Sequence, residues 1–174
     1  MNAQATARVG WAQQFLLVVL RVVIGWHFLY EGYVKLTEKA WSAGAYLQQA
    51  QGPLANVFHY MANTPRLLQA VNLLNEWGLT IVGLCLILGL LTRAAGVGAI
   101  LLLALYYVAN PPWIAVLPRW TEGNYLFIDK NLVELVAVAV LLAFDTGRMA
   151  GLDVLLHDWR RRRAQRRALR AAAA

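Results

Sequence analysis

The sequence carries little charge for its length and almost no cysteine. Of its 174 residues, 14% are charged and 60% are hydrophobic, whereas soluble domains carry about 25% charged residues. This composition is typical of an integral membrane protein. The single cysteine, Cys85, lies in an apolar run. It cannot form an internal disulfide, a CxxC redox pair or a thiolate metal cluster.

Motifs of side-chain catalysis are also missing. No nucleotide-binding glycine loop, nucleophile elbow or zinc signature occurs. Of three histidines, only His27 lies in an apolar segment, because His59 falls in a loop and His157 in the tail. Haem ligation by two histidines needs both at similar depth, so we expect neither haem nor a metal. The first apolar run has no small-residue cleavage site, which predicts a retained helix instead of a removable signal.

Four apolar runs approach the length of about 20 helical residues that crosses a bilayer. They predict spans at 11–36, 73–93, 94–110 and 130–144, of which the last is short. The second and third spans adjoin at Thr92-Arg93 and must form an antiparallel hairpin. The fold class predicted is all-α integral membrane, with one four-transmembrane-helix bundle at 1–150 and a basic cytoplasmic tail at 151–174.

Two long loops separate the first span from the second and the third from the fourth. The first mixes aromatic residues with Gly, Pro and Asn, and it predicts short interfacial helices broken near Gly52-Pro53 and at Pro65. The second contains aromatic residues suited to the interfacial belt of a bilayer: Trp113, Trp120, Tyr125 and Phe127.

Basic residues are distributed unevenly around the predicted spans. The termini and tight turn hold ten: Arg8, Arg93, Arg148 and seven arginines between 160 and 170. The opposite side holds five: Lys35, Lys39, Arg66, Arg119 and Lys130. The positive-inside rule then places both termini in the cytoplasm. A nucleic-acid interface is one interpretation of the arginine-rich tail, but we expect an orientation signal that contacts membrane lipids and no nucleic acid.

The first span carries four ionisable residues: Arg21, His27, Glu31 and Lys35. On a helix they fall within an arc of about 120°, with Gly25 and Gly32 on the same side. An arginine facing lipid near mid-span costs about 2.5–3.5 kcal/mol, so the arc must face protein. The glycines would allow a neighbouring helix to approach closely.

The available partners for this arc are Glu134 in the fourth span and Glu76 at the outer end of the second. Lys130 and Asn131 would join them near the outer leaflet. The predicted binding residues are Arg21, His27, Glu31, Lys35, Glu76, Asn131 and Glu134. Such a pocket either binds a quinone or relays protons, or its ion pairs only hold the helices in register. The residues alone leave both interpretations open.

Three segments resemble the DoxX-like membrane proteins, which include the small DoxD-type subunit of thiosulfate:quinone oxidoreductase. They are the first helix, "GLCLILGLLTRAAG" at 83–96 and "KNLVELVAVAVLL" from 130, within a resemblance covering about 13–150. The matching positions are Arg21, Gly25, Gly32, Lys35, Gly89, Thr92, Arg93 and Asn131. The resemblance implies a bundle in a bacterial inner membrane, beside a quinone-linked oxidation of sulfur compounds, and it transfers no catalytic residue.

The leading functional interpretation, which the resemblance implies, is a membrane subunit of a quinone-linked oxidoreductase. Because the chain has no cofactor motif or thiol pair, any electron transfer would need a bound quinone or a second subunit. Arg21 or Lys35 would stabilise charge on a reduced quinone oxygen, and Glu31 or His27 would supply protons. We therefore expect Arg21→Ala to abolish quinone-linked turnover. A second protein subunit or a homo-oligomer is expected as a partner.

The alternative is a non-catalytic scaffold that docks another protein. In one version, small residues such as Gly96 and Ala99 form a homodimer contact. A small transporter is a third interpretation, and the absence of an evident inverted repeat disfavours it. The sequence does not decide whether the chain is an enzyme.

Overall fold

The computed structural model describes residues 10–114 and 124–172. In those ranges the chain is almost entirely helical, with one antiparallel ribbon in which Tyr125 pairs with Ile128. The elements are α1 (Trp11–Thr37), α2 (Gly44–Gln48), α3 (Ala55–Asn63), α4 (Pro65–Leu88), α5 (Thr92–Ala109), β1 (Asn124–Tyr125), β2 (Ile128–Asp129), α6 (Lys130–Ala143), a 3-10 turn (Thr146–Arg148) and α7 (Leu152–Ala172).

Three helices of the described residues, α1, α4 and α5, are long and apolar enough to cross a membrane. Large apolar residues on their outer sides are exposed, including Val23, Ile81 and Leu101 at 54–60%. Such side chains belong in contact with lipid. The predicted fourth span is α6, which has only 14 residues and is shorter than a bilayer requires. The chain is therefore an all-α multi-pass membrane protein with three candidate spans.

Helix α4 begins at Pro65 instead of the predicted residue 73, so that boundary was wrong. Proline is favoured at the first helical position. Leu68 and Val71 extend the helix by packing against residues 44–63, the α2–α3 segment. The predicted breaks near Gly52-Pro53 and at Pro65 are confirmed, because α2 ends before the first and α3 before the second.

The turn between α4 and α5 lies at 89–91, just before the predicted Thr92-Arg93. Gly89 and Leu91 both adopt left-handed backbone conformations, with φ of 63° and 49°. The amide of Leu90 donates to the carbonyl of Cys85 at 2.9 Å, which closes the helix end as glycine caps commonly do. Thr92 is therefore the first residue of α5.

Helices α1 and α4 approach each other through glycines, which confirms the role expected for Gly25 and Gly32. A Cβ added at Gly25 would lie 2.9 Å from the amide nitrogen of Ile87, and one at Gly32 would lie 2.6 Å from that of Thr80. A Cβ at Gly83 would lie 2.7 Å from the carbonyl oxygen of Gly25. No side chain fits between these two backbones.

The central core joins α1, α4, α5 and α6 around buried Phe28, Leu86 and Val138. Ala99 is fully buried in it. A Cβ at Gly96 would lie 2.6 Å from the Leu142 side chain of α6. The predicted homodimer contact at Gly96 and Ala99 is therefore wrong, because α6 of the same chain lies against Gly96 and Ala99 has no exposed surface.

Asp153 fixes the start of α7 to the α4–α5 turn. Its carboxylate accepts hydrogen bonds from the amides of Leu91 and Thr92 at 2.7 and 2.9 Å, and from the Thr92 hydroxyl at 2.7 Å. Burial alone would raise the pKa of the Asp153 carboxyl, but these hydrogen bonds and the charge of Arg21 lower it below its usual value.

We expect Asp153→Asn to lower the melting temperature at neutral pH by the equivalent of about 1 kcal/mol. A carboxyl with a lowered folded pKa stabilises the fold above its unfolded pKa, and this stabilisation is lost as the pH falls through the folded pKa. The difference from the parent protein should therefore shrink below the usual value of 3.8. Thermal melts in detergent across the acid range measure it, with exposed Asp158→Asn as the control. A pH-independent difference would contradict the assignment.

Candidate functional site

A cavity of about 410 Å³ lies between the main helices, beneath the α2–α3 segment. Backbone amides of Gln51 and Gly52 donate to the carbonyl of Ala109 at 3.0 and 3.1 Å, which anchors that segment to the end of α5. Most of the lining is apolar: Phe28, Trp41, Ala43, Leu47, Phe58, Met61, Val71, Leu74, Leu79, Leu102, Leu103, Leu105 and Ala109. The polar lining is His27, Glu31, Lys35, Ser42, Tyr46, Asn75, Tyr106, Lys130, Asn131 and Glu134.

His27 and Glu134 join α1 to α6 at the polar edge of the cavity. Their Nδ1 and Oε1 atoms are 2.7 Å apart. The start of α6 positions Glu134, because the Asp129 side chain caps it by accepting from the Leu132 amide at 2.8 Å. Asn131 donates from Nδ2 to the same carboxylate at 2.8 Å. These bonds place the second turn of α6, and hence Glu134, opposite His27.

Glu31 and Lys35 form a second pair one turn further along α1. The Lys35 ammonium lies 2.5 Å from a Glu31 oxygen and 5.6 Å from the centre of the Trp41 ring. The other ring nitrogen of His27 lies 4.0 Å from Glu31. A row of ionisable side chains therefore lies along the cavity edge, from Glu134 through His27 and Glu31 to Lys35.

A third polar group lies among the apolar walls, and the sequence reasoning missed it. The Tyr106 hydroxyl donates to the Asn75 side-chain oxygen, and the Tyr46 hydroxyl donates to the Tyr106 carbonyl at 3.1 Å. Asn75 also donates to the carbonyl of Val71 at 2.9 Å. The sequence contained one signal for this polar group, an asparagine within an apolar helix. A buried amide must find hydrogen-bond partners, so such a residue indicates a polar contact.

Five of the seven predicted binding residues line the cavity: His27, Glu31, Lys35, Asn131 and Glu134. Lys130 joins them. Arg21 and Glu76 do not line it. Residue Glu76 is only partly buried and follows Asn75 and precedes Leu79 on α4, two residues that do face the cavity. On a helical wheel Glu76 lies about 60° beyond Leu79, which is at the edge of the arc that holds the lining residues of α4, so its side chain falls outside the cavity lining.

Arg21 lies toward the opposite end of the bundle, so its predicted place in the pocket was wrong. It is 2% exposed. Its guanidinium donates to the carbonyls of Thr146 and Ala150, both at 2.8 Å. Arg21 shares a helix face with Lys35, but about four helical turns, or about 21 Å, separate the two along the axis. A helical wheel does not show that distance.

The cavity can hold a flat molecule that is apolar at its centre and polar at its rim. His27 offers a ring nitrogen, Lys35 and Lys130 offer ammonium donors, and Glu134 offers an acceptor. Among residues 10–114 and 124–172, no group of three or more His, Cys, Asp or Glu side chains is arranged to hold a metal ion. The chemistry available from the described side chains is hydrogen bonding and proton transfer.

The family model of DoxX matches residues 16–110. The matched region runs from within α1 past the end of α5, so it contains most of the cavity wall but not Asn131 or Glu134. No curated protein and no solved structure matches the chain. Because the matched region covers more than half of the 174 residues, the chain belongs to the DoxX family.

Proposed function

We propose that the chain is the membrane subunit of a quinone-linked oxidoreductase system and that its cavity holds a quinone ring. The observation that carries the proposal is an apolar cavity of about 410 Å³ edged by the His27–Glu134 and Glu31–Lys35 pairs. Its volume falls in the range of about 300–1,000 Å³ that is typical of small-molecule sites. A bound quinone would supply two-electron, two-proton redox chemistry.

The described residues fit that ring at both its faces and its rim. Phe28, Leu79 and Leu102 line the cavity and would supply apolar contact for the ring. His27 and Lys35 can donate hydrogen bonds to a ring oxygen, and a positioned donor of this kind stabilises negative charge that develops there. The His27 side chain is 44% exposed and that of Glu134 is 13% exposed. In this proposal His27 takes up a proton while its hydrogen bond to Glu134 holds the ring in place.

In this proposal the electrons come from a partner, since the single cysteine, Cys85, cannot form a thiol pair within the chain. A second protein subunit that oxidises a sulfur compound would supply them. We also place the chain in a bacterial inner membrane with both termini in the cytoplasm, where α6 together with its flanking residues forms a fourth span. Residues 115–123, which include Trp120 and Arg119, and residues 1–9 with Arg8 lie outside the described ranges.

A non-catalytic scaffold is the second candidate, and one observation favours it. His27 is paired with Glu134, Glu31 with Lys35, and Asn75 with Tyr106. Because each of these side chains already has a partner, the network is able to hold the bundle together without any ligand. This candidate predicts that the purified protein retains no quinone.

Bound quinone separates the two candidates. The parent protein, purified in mild detergent from native membranes, is expected to retain quinone, detected by absorbance and mass after lipid extraction. His27→Ala should lower the quinone-to-protein ratio about tenfold, because it removes one hydrogen bond worth about 1–1.5 kcal/mol. His59→Ala is the matched control, since His59 binds the carbonyl of Ala50 and does not line the cavity.

A second variant tests the cavity itself. Met61→Trp adds volume at a half-buried lining position and should also displace the quinone while the melting temperature stays near that of the parent. If the parent protein retains no quinone, the scaffold is the correct interpretation. If the parent and both variants retain equal amounts, the quinone lies elsewhere on the protein.

A further inference from the structure

Helix α7 leaves the bundle from a rigid attachment beside the α4–α5 turn. The amide of Asp153 donates to the carbonyl of Gly89 at 2.8 Å, and its carboxylate binds Leu91 and Thr92 as described above. Added Cβ atoms at Gly89 and Gly151 would each lie 2.7 Å from the Cα of the other residue. The first turn of α7 is therefore held against the end of two candidate membrane spans.

Beyond that turn, α7 exposes an apolar stripe. Leu152, Leu155 and Trp159 are 39, 64 and 55% exposed, and their spacing places them on one face of the helix. The Arg163 guanidinium continues the stripe, 4.6 Å from the centre of the Trp159 ring. At the end of the same hairpin, Leu91 is 54% exposed.

Helix α7 also carries most of the excess positive charge of the protein. Seven arginines lie between 160 and 170, against a net charge of +7 for the whole chain. Arg161 and Arg163 are exposed. A partner that complements α7 must therefore be anionic, and it must also accept leucine and tryptophan side chains.

We propose that α7 is a surface helix that binds anionic phospholipid headgroups in the leaflet beside the α4–α5 turn. A bilayer interface satisfies both requirements, since tryptophan is enriched at headgroup depth and basic amphipathic helices lie in that plane. Arginine stems can bury their methylene groups there while the charge reaches phosphate. A nucleic acid would satisfy the arginines but would leave Leu152 and Leu155 in water.

The full chain in lipid nanodiscs tests this proposal. In a Cys85→Ala background, Leu155→Cys and His157→Cys each carry a nitroxide, one on the apolar stripe and the other on an exposed position away from it. Discs contain either phosphatidylcholine alone or phosphatidylcholine with phosphatidylglycerol. In the anionic discs the nitroxide at 155 should be protected from a water-soluble relaxation agent and reached by oxygen, and the nitroxide at 157 should show the reverse.

The charge requirement is tested at Arg163, whose guanidinium lies over the Trp159 ring. A basic residue near an anionic surface contributes about fivefold to the docking equilibrium, so Arg163→Gln should lower the ratio of docked to undocked α7 about fivefold. Arg163→Lys should preserve the ratio, because the attraction is to charge. Arg161→Gln is the matched control, because Arg161 follows His157 by one helical turn on the face away from the apolar stripe, and it should lower the ratio less. Unchanged melting temperatures show that the variants fold.

The proposal is overturned by any of three results. The nitroxide at 155 could be equally accessible to water in both kinds of disc. The nitroxide at 155 could become protected from the water-soluble relaxation agent only after an RNA duplex or a soluble protein is added. The glutamine variant could dock as strongly as the parent, which would show that the charge of α7 does not hold the helix on the anionic surface.

Discussion

Arg21→Ala is expected to destabilise the bundle severely and to leave the cavity intact. The Arg21 side chain is 2% exposed and donates two hydrogen bonds of 2.8 Å to the carbonyls of Thr146 and Ala150. Hydrogen bonds from a charged group contribute about 1.5–3 kcal/mol each. Loss of both should lower the free energy of unfolding by about 3–6 kcal/mol.

Two measurements distinguish this structural role of Arg21 from the catalytic role expected from the sequence. Tryptophan fluorescence during heating in detergent measures the melting temperature, and quinone is quantified in the fraction that stays folded. Arg21→Ala should melt much lower and still retain quinone at the parent ratio. Arg21→Lys keeps one donor group and should recover part of the stability. A parent-like melting temperature with loss of quinone would restore the original hypothesis.

Gly83→Ala should be the most disruptive single-methyl substitution between α1 and α4. The new Cβ would lie 2.7 Å from both the Gly25 carbonyl oxygen and the Leu29 Cα. Both atoms belong to the α1 backbone, so α1 must move as a whole. Overpacking costs typically about 1–3 kcal/mol, and we expect the upper end here because no flexible side chain can give way.

Gly78→Ala on the same helix is the matched control. Its Cβ would lie 3.9 Å from the nearest atoms, which belong to Leu102 and Leu74. Alanine also favours a helix over glycine by about 0.5–1 kcal/mol, so this variant should melt slightly higher than the parent. The melting temperatures of the two variants, measured side by side, show whether the α1 and α4 backbones are in contact at Gly83. Equal stability of Gly83→Ala and Gly78→Ala would mean that α1 and α4 do not approach so closely.

Because Gly83→Ala displaces α1, we also expect it to change the shape of the cavity. His27, Glu31 and Lys35 lie on α1, whereas Asn75 and Leu79 lie on α4. A displacement between the two helices should therefore lower quinone retention as well as stability. The Asp153→Asn variant, whose effect lies at the other end of the bundle, should not lower quinone retention.

Sequence reasoning located the apolar helices because a membrane span needs a long run of apolar residues, and hydropathy records that directly. It placed the boundary of α4 at 73 because Arg66, Gln69 and Asn72 interrupt the apolar pattern of residues 65–72. The start at Pro65 depends on Leu68 and Val71 packing against the α2–α3 segment. The family resemblance seen in the first helix and in the hairpin was confirmed over residues 16–110.

The helical period also placed His27, Glu31 and Lys35 on one face of α1, because angle around an axis follows from spacing alone. It grouped Arg21 with them, since a wheel projects all depths onto one circle. The Tyr106–Asn75 hydrogen bond stayed unseen because it joins two helices whose relative rotation no local pattern encodes.

The sequence by itself determined a helical membrane protein of the DoxX family with an ionisable face on its first helix. Composition, hydropathy and helical period are local properties, and they suffice for the helices and the ionisable face, whereas the family follows from the sequence match over residues 16–110. Only the tertiary structure decided that Arg21 stabilises the 3-10 turn and the start of α7 while His27 pairs with Glu134 at the cavity. The physical reason is that hydrogen bonding requires atoms within about 3 Å of each other. That distance depends on the depth and rotation of each helix in the assembled bundle.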